Sequence, residues 1–436
     1  MFLLRKRRNI GLSKEHTKQT LLGQAGACNS VVNMITVPEA DSILQKNTVS
    51  FPAARVPIEK AYGGVLLEVV KADRDFPPFD RATMDGIAVN SAAWNKGVRD
   101  FPIEGLQKAG ISALSLKKAE GCIEIMTGAV LPKGCDCVVP IEYVKKEVRV
   151  ARARNEFHAQ TMKNVHAKGS DARKGDVLLQ PGRRLLASHI AVAAAVGKSK
   201  IRIARTPQIA LVGTGDELVE VNRPVKPFQI RRSNTCALAA GLTLNGYTHV
   251  KRFHIQDDQK KLYMNLKKIL AANDVVILSG GVSMGKLDFV PGVLERIKVK
   301  VLFHKVQQRP GGPLLFGKTS AGKPVFGLPG NPVSTQICLY RYVLPYLNRA
   351  MGLSQTHEDY VTVTESAGVK TTVTSFLPVE VTATSDGRRS AVPIAPKNSG
   401  DFVRLTKASG FIEVPAQTFN LPAASAYRFY AWVSIS

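Results

Sequence analysis

Cysteine is scarce in this chain: six residues among 436, without regular spacing. That excludes a disulfide-stapled scaffold and fits thiols kept reduced inside the protein. Cys135-Asp136-Cys137 is a C-x-C pair, but no second pair lies nearby to complete a four-ligand zinc site. No stretch approaches the roughly 18 consecutive apolar residues that a membrane-spanning helix needs. Aromatics make up only 7% of the chain, and no recognised nucleic-acid module or aromatic-rich basic strand appears. Two nucleotide-binding patterns are also missing. Thr214-Gly215-Asp216-Glu217 lacks the third glycine of G-x-G-x-x-G, and no G-x-x-x-x-G-K-[ST] occurs.

The other deficit is of negative charge. Lys and Arg number 60 against 34 Asp and Glu, for a net charge of +26. Such an excess favours anionic partners, either nucleic acid or phosphorylated and oxyanionic small molecules. With 44% apolar and 22% charged residues the remainder is ordinary globular protein, long enough for two to four domains.

Residues 1–33 are basic, without the apolar core of a secretory signal, and read as a disordered extension. Met34 reads as a natural beginning, with Pro38 and Glu39 opening a short helix. From about 58 to 146 short strands alternate with Gly and Pro punctuation, ending in the charged run Lys145-Lys146-Glu147. The character changes near Pro207. Apolar strands then alternate with helices to about residue 350, which predicts a doubly wound, mostly parallel sheet. One helix carries Leu262, Leu266, Ile269 and Leu270 at i, i+4, i+7 and i+8, and another should open with Ser233 as its cap. After Gly352 the pattern becomes that of a small β-barrel or sandwich.

Every glycine-rich element of the α/β segment follows a strand, so all should project from one rim, where ligands of such sheets sit. They are Gly213-Thr214-Gly215, Gly280-Gly281 and Gly327-Leu328-Pro329-Gly330. In the last, Asn331 is a favourable N-cap and Pro332 a favourable first helical residue, leaving amides aimed at an anion, with Ser334 as a further donor. Gly281-Val282-Ser283-Met284-Gly285 spells G-x-S-x-G, but no helical period follows at once and no downstream histidine sits beside a strand-end acid. Ser283 therefore reads as a loop donor, with Gly280 and Gly281 letting backbone approach a phosphate. Around this rim lie Asp216, Glu217, Asp257 and Asp288 with Lys286, Lys305 and Arg309. Carboxylates beside phosphate-binding loops suit Mg²⁺.

Six ordered motifs carry a resemblance: PPFDRATMDGIAV, IMTGAVLPKGCDCVV, VGTGDELV, LSGGVSMGKLDFV, RPGGPLLFG and FGLPGNPVS. Over residues 34–436 the chain resembles the molybdenum insertase family, the molybdopterin molybdenumtransferases that include bacterial MoeA and the C-terminal region of gephyrin. The resemblance implies an elongated domain from 34–57 and 147–206, an inserted β-rich domain over 58–146, a MogA-like α/β domain over 207–350 and a C-terminal β-barrel over 351–436. It implies a cytoplasmic homodimer, with the site between the α/β domain of one subunit and the β-rich domain of the other. It also implies insertion of molybdate into adenylylated molybdopterin with Mg²⁺-dependent release of AMP. The partners implied are a molybdopterin adenylyltransferase and acceptor molybdoenzymes, rather than membrane or nucleic acid. By position the functional acids fall on Asp85, Glu217, Asp257 and Asp288, the last three implied as the Mg²⁺ ligands, with Thr127 in the facing loop. Lys305, Arg309 and Ser334 fall where the family contacts molybdate or pterin phosphate, and Ser399 with Gly400 is retained.

Departures from the family pattern are Gly312 for a lysine, Arg232 for an aspartate, Pro378 for an arginine, and an arginine-poor segment from Asn164 to Asp171. They raise a second reading, a weakened pterin-binding carrier or scaffold. A basic nucleic-acid-binding protein is the third.

Overall fold

The computed structural model of the chain describes residues 34–282, 288–354, 358–366, 368, 371–383, 385, 387–394 and 400–433. Its centre is a six-stranded sheet in the order Val250–Ile255, Ile209–Thr214, Val275–Ser279, Pro324–Leu328, Leu315–Lys318 and Lys300–His304. The first four strands are parallel, and the last two continue the sheet as an antiparallel edge. Alternation along each strand divides the core between two faces, since successive side chains point to opposite sides. Ile209, Leu211, Val275, Ile277, Phe316 and Phe326 pack with helices Ser233–Leu244 and Pro332–Ala350 on one face. Ala210, Val212, Val276, Leu278, Leu315 and Val325 pack with helices Gln259–Ala272 and Val290–Arg296 on the other. In the Gln259–Ala272 helix the buried residues are Leu262, Leu266, Ile269 and Leu270, as the spacing predicts.

Two helical details differ from expectation. The cap of Ser233–Leu244 is Arg232, with Ser233 already inside the helix. The run from Pro332 to Ala350 is continuous but passes through a π-helical segment, Leu339–Val343, just before Pro345. A proline cannot donate to the ladder and crowds the carbonyl a turn earlier, so the backbone widens locally rather than breaking.

Elsewhere the chain forms three smaller units. A six-stranded sheet runs in the order Cys137–Pro140, Gly86–Val89, Cys122–Ile125, Asp100–Gln107, Val150–Ala153 and Val144–Lys146. Its strand Val150–Ala153 pairs with both Asp100–Pro102 and Val144–Lys146, so this sheet extends beyond the expected limit at residue 146. The elongated unit joins Ala53–Pro57 to Lys200–Ala204 in antiparallel register. Residues 34–46 do not belong to that unit by packing. Helix Val37–Lys46 buries Val37, Ala40 and Leu44 in the core shared with Phe303, Val306 and Tyr346. Its start is fixed by a capping box between Thr36 and Glu39. Last, Thr374–Ala383, Arg389–Pro393, Asp359–Val363, Ala426–Ala431 and Gly410–Val414 close into a five-stranded barrel, because the first of these also pairs with the last. Strand Gln308–Arg309 adds to Thr374–Ser375 and ties the barrel to the α/β unit.

Candidate active site

Parallel register brings the strand ends to one rim: Thr214 lies opposite Ile255, Gly213 opposite Ser279, and Ser279 opposite Leu328. The loops leaving that rim enclose a cleft of about 380 Å³ lined by Thr214, Gly215, Glu217, Asp257, Gly280, Gly281, Val282, Asp288, Pro313, Pro329 and Gly330. Three of the expected acids, Glu217, Asp257 and Asp288, thus share one cleft although they lie far apart in sequence. Burial pushes the Asp257 carboxyl above its ordinary value, and the nearby charges of Asp216, Glu217 and Asp288 add to the effect. Among the described residues no three His, Cys, Asp or Glu side chains converge closely enough to form a metal-holding group. The donors are nonetheless hard oxygens whose mutual repulsion a divalent cation relieves, so the donor chemistry fits Mg²⁺.

The glycines work by their lack of a side chain. Gly280 and Gly281 have φ of +94° and +65°. A Cβ at Gly280 would lie 2.8 Å from the Thr214 carbonyl oxygen, and one at Gly281 would lie 2.7 Å from Thr214 Oγ1. The Gly280 amide donates to the Leu328 carbonyl at 3.2 Å, so it belongs to the scaffold and not to the set of anion donors. Asn331 caps the following helix, and its Oδ1 accepts from the Ser334 amide at 3.0 Å and the Ser334 hydroxyl at 3.3 Å. The buried Ser334 hydroxyl is therefore turned onto the cap, and Pro332 fills the first helical position. Asn234, which the motif reading passed over, donates to Ser279 Oγ at 3.0 Å and to the Gly330 carbonyl at 2.8 Å, pinning two of the rim loops together. His304 lies 2.6 Å through Nε2 from the Val282 carbonyl. Burial holds its pKa below the ordinary value, so it is neutral at pH 7 and donates to that carbonyl.

Lys305 and Arg309 do not line the cleft. Lys305 is half-buried with φ of +79°, an uncommon conformation for a lysine. Its amide donates to Leu314 at 2.9 Å and its carbonyl accepts from Ile35 at 3.2 Å, which fixes that turn from both sides. Asp85 and Thr127 lie in loops flanking strands of the inserted sheet, just before Gly86–Val89 and just after Cys122–Ile125, and Asp85 lines a separate pocket of about 280 Å³ with Met126, Ile141 and Lys146. The Thr127 amide and hydroxyl donate to Asp85 Oδ1 at 2.6 and 2.7 Å and hold its carboxyl below the usual range. Ser283 and Ser399 lie outside the described residues.

Three sequence families match the chain in order. Residues 35–197 match "MoeA N-terminal region (domain I and II)", residues 210–349 match "Probable molybdopterin binding domain", and residues 365–423 match "MoeA C-terminal region (domain IV)". A molybdopterin molybdenumtransferase of Synechocystis sp. is 36% identical over 400 residues, covering 92% of this chain and all of that protein, 100%. One of Staphylococcus epidermidis is 31% identical, covering 90% of this chain and 94% of that protein. The chain belongs to the MoeA family. The crystal structure of a molybdopterin biosynthesis MoeA protein from Pyrococcus horikosii superposes with a TM-score of 0.75 at 29% identity, covering 92% of this chain and 99% of that one.

Within this MoeA-family chain each departure has a defined structural setting. Arg232 is buried and pairs with Glu220, whose carboxyl that contact draws down. The reversed charge is thereby neutralised locally. Pro378 sits within the barrel strand Thr374–Ala383, opposite Phe411, where it presents no cation. In the arginine-poor segment, Val165–His166 pairs with Arg81–Ala82, and the Lys168 amide donates to Asp80 at 2.7 Å. Gly312 borders Pro313 of the cleft, and a Cβ there would lie 3.3 Å from the Gln308 carbonyl oxygen, tight but not barred.

Proposed function

We propose that the chain is a molybdenum transferase of molybdenum cofactor biosynthesis, the activity for which its relatives are named. In this reading it inserts molybdate into adenylylated molybdopterin, releasing AMP, in the cytoplasm. The observation that carries the proposal is the convergence of Glu217, Asp257 and Asp288 with Gly280 and Gly281 on one cleft at the carboxyl rim of a parallel sheet. Glycines that admit a phosphate beside carboxylates that attract a divalent cation form a combination suited to a pyrophosphate substrate. Mg²⁺ is usually held by one or two carboxylates together with substrate phosphates and water. Members of the set Glu217, Asp257 and Asp288 would hold it without forming a closed three-ligand group, and the bound ion would offset negative charge on the phosphate oxygens. The chain's own part is positional. His304 and Asn234 fix the loops that shape the cleft, and the capped helix beginning at Pro332 presents the positive end of its dipole beside Gly330.

The reading includes a homodimer. Asp85 and Thr127 are apart from the rim cleft in a single chain, and Met84, Met126, Ile141 and Tyr143 stand exposed around them. A second copy would seat this pocket over the cleft of the first. The net charge of +26 would draw in both anionic substrates. A molybdopterin adenylyltransferase would supply the adenylylated substrate, and acceptor molybdoenzymes would take the product.

The test is purified full-length chain with adenylylated molybdopterin, Mg²⁺ and molybdate. AMP should appear in step with molybdenum incorporation. A chain that binds the pterin but never releases AMP would instead be a carrier, and the proposal would be wrong.

A further inference from the structure

On the inserted unit, Asp85 follows the short strand Arg81–Ala82, which is clamped from two sides. On one side the strand pairs with Val165–His166, and the Thr83 amide donates to the Asn164 carbonyl at 3.0 Å. On the other, Arg81 bridges to Val130, the Ala82 amide donates to the Ala129 carbonyl at 3.0 Å, and the Gly128 amide donates to the Ala82 carbonyl at 2.8 Å. Gly128 adjoins Thr127, whose amide and hydroxyl hold the Asp85 carboxylate. How firmly this strand is held therefore sets where Asp85 sits.

A side-chain bridge crosses that pairing. Arg81 Nη2 lies 3.2 Å from His166 Nδ1, and His166 Nε2 lies 2.8 Å from Asp171 Oδ1. A guanidinium only donates and a carboxylate only accepts, so Nδ1 must offer a lone pair while Nε2 carries the proton. One neutral tautomer of the ring satisfies both contacts. A second ring proton would set N–H against N–H and cation against cation at Arg81. Asp171 keeps its partner in either form, because an imidazolium still donates from Nε2. Protonation thus breaks the contact that reaches the strand and spares the other. No lysine or arginine at position 166 could accept from Arg81, so the bridge depends on this segment being poor in arginine.

The surroundings leave the ring free to titrate. The His166 side chain is 31% exposed, so protons reach it from solvent. Its hydrogen bond holds the Asp171 carboxyl below the ordinary value, with Ser170 and the Arg81 charge adding to the effect, so Asp171 stays ionised while the ring changes state. Neighbouring charges are engaged elsewhere. Lys168, at 3.6 Å, and Arg173 act on Asp75, and Asp80 accepts the Lys168 amide at 2.7 Å. The loop from Gly128 to Leu131 across the strand carries no charge.

We propose that His166 is a pH-sensitive positioning residue for Asp85. Neutral, it ties Arg81 to Asp171 and holds the strand that leads to Asp85; protonated, it lets Arg81 go and loosens that strand. The part Asp85 plays in transfer rests on the function proposed above, whereas the bridge and its response to pH do not.

The experiment follows amide hydrogen exchange of the peptide spanning residues 79–86 in the full chain, for wild type, His166→Gln and His166→Arg. Glutamine keeps an acceptor and a donor without titrating, and arginine only donates, as the protonated ring does. Chains are compared at the same pH, so the effect of pH on intrinsic exchange cancels. Measurements at about pH 7.5 and about pH 5.5 lie either side of the ordinary histidine value of about 6.5. At the higher pH, wild type and His166→Gln should agree within about twofold, while His166→Arg exchanges about 3- to 10-fold faster, the range for one hydrogen bond. At the lower pH, wild type should exchange about 3- to 10-fold faster than His166→Gln and match His166→Arg. Wild type and His166→Gln moving in parallel between the two pH values overturns the proposal, and this comparison decides alone if the arginine variant misfolds. A folded His166→Arg chain as protected as wild type at the higher pH also overturns it. In AMP release coupled to molybdenum incorporation, the ratio of wild-type to His166→Gln rates should fall by a similar factor on acidification. A constant ratio beside the expected exchange pattern overturns the positioning role. The two proposals fail separately. A chain that shows the exchange pattern yet never inserts molybdenum loses the function and keeps the bridge. One that inserts molybdenum while wild type and His166→Gln exchange in parallel does the reverse.

Discussion

Asp257 shows how a single residue in this cleft is set against folding. Burial and three neighbouring carboxylates raise its pKa above 3.8. The folded chain therefore holds that proton more tightly than the unfolded chain, and stability falls as pH rises from 3.8 through the raised value. At pH 7 the ionised carboxylate works against the fold, and a cation bound beside it, as the proposed function requires, would offset that cost. Asp257→Asn should thus melt at or above the wild-type temperature at pH 7 in metal-free buffer, while the stabilisation produced by adding Mg²⁺ shrinks. Thermal melts with and without Mg²⁺ check both halves. A lower melting temperature together with an unchanged Mg²⁺ effect would remove Asp257 from the cation-binding set.

At the scale of elements the helix from Pro332 to Ala350 organises the molecule. Its first turn borders the cleft, and its π segment carries Arg341 to the junction of the α/β core, including helix Val37–Lys46, with the barrel. Arg341 is buried and makes a two-pronged contact with Asp41 at 2.8 and 2.7 Å, from helix Val37–Lys46. It also reaches Glu413 of the barrel at 3.1 Å. Removing one partner of a fully buried ion pair typically costs about 3–5 kcal/mol. Here the carboxylates keep some access to water, so Arg341→Met should destabilise by roughly 2–4 kcal/mol. Denaturant melts would measure the loss, and proteolysis should cut first near the barrel junction. An unchanged midpoint would show that apolar packing alone holds the barrel.

The legibility of the sequence also divides by element. Helix Gln259–Ala272 and the rim of strand ends follow from periodicity and glycine position, because local pattern determines them. The N-cap Asn331 follows from its residue type just before Pro332, and the closed barrel and the acids of the cleft follow from motif order. Other features depend on contacts remote in sequence. Ser334 looks like a cleft donor until Asn331 is seen to take its hydroxyl. Residues 34–46 look like part of the elongated unit until their apolar face is found in the α/β core. His166 has no signal beyond its place in an arginine-poor segment, since its bridge from Arg81 to Asp171 appears only once the strands have paired.

For the whole molecule, the separation of Asp85 and Thr127 from the rim acids within one chain is the decisive fact. If transfer occurs where the pocket of one copy meets the cleft of another, neither half suffices alone. Isologous pairing gives two such sites per dimer. The most direct measurement mixes Asp85→Ala and Asp288→Asn chains, unfolded and refolded together, and follows AMP release coupled to molybdenum incorporation. Each variant alone should be inactive, and Asp288→Asn should still bind pterin. In an equal mixture half the dimers are hybrids with one intact site each, so activity should recover to about a quarter of wild type. A mixture as inactive as its parents, or an Asp288→Asn chain that turns over at the wild-type rate, would contradict the account.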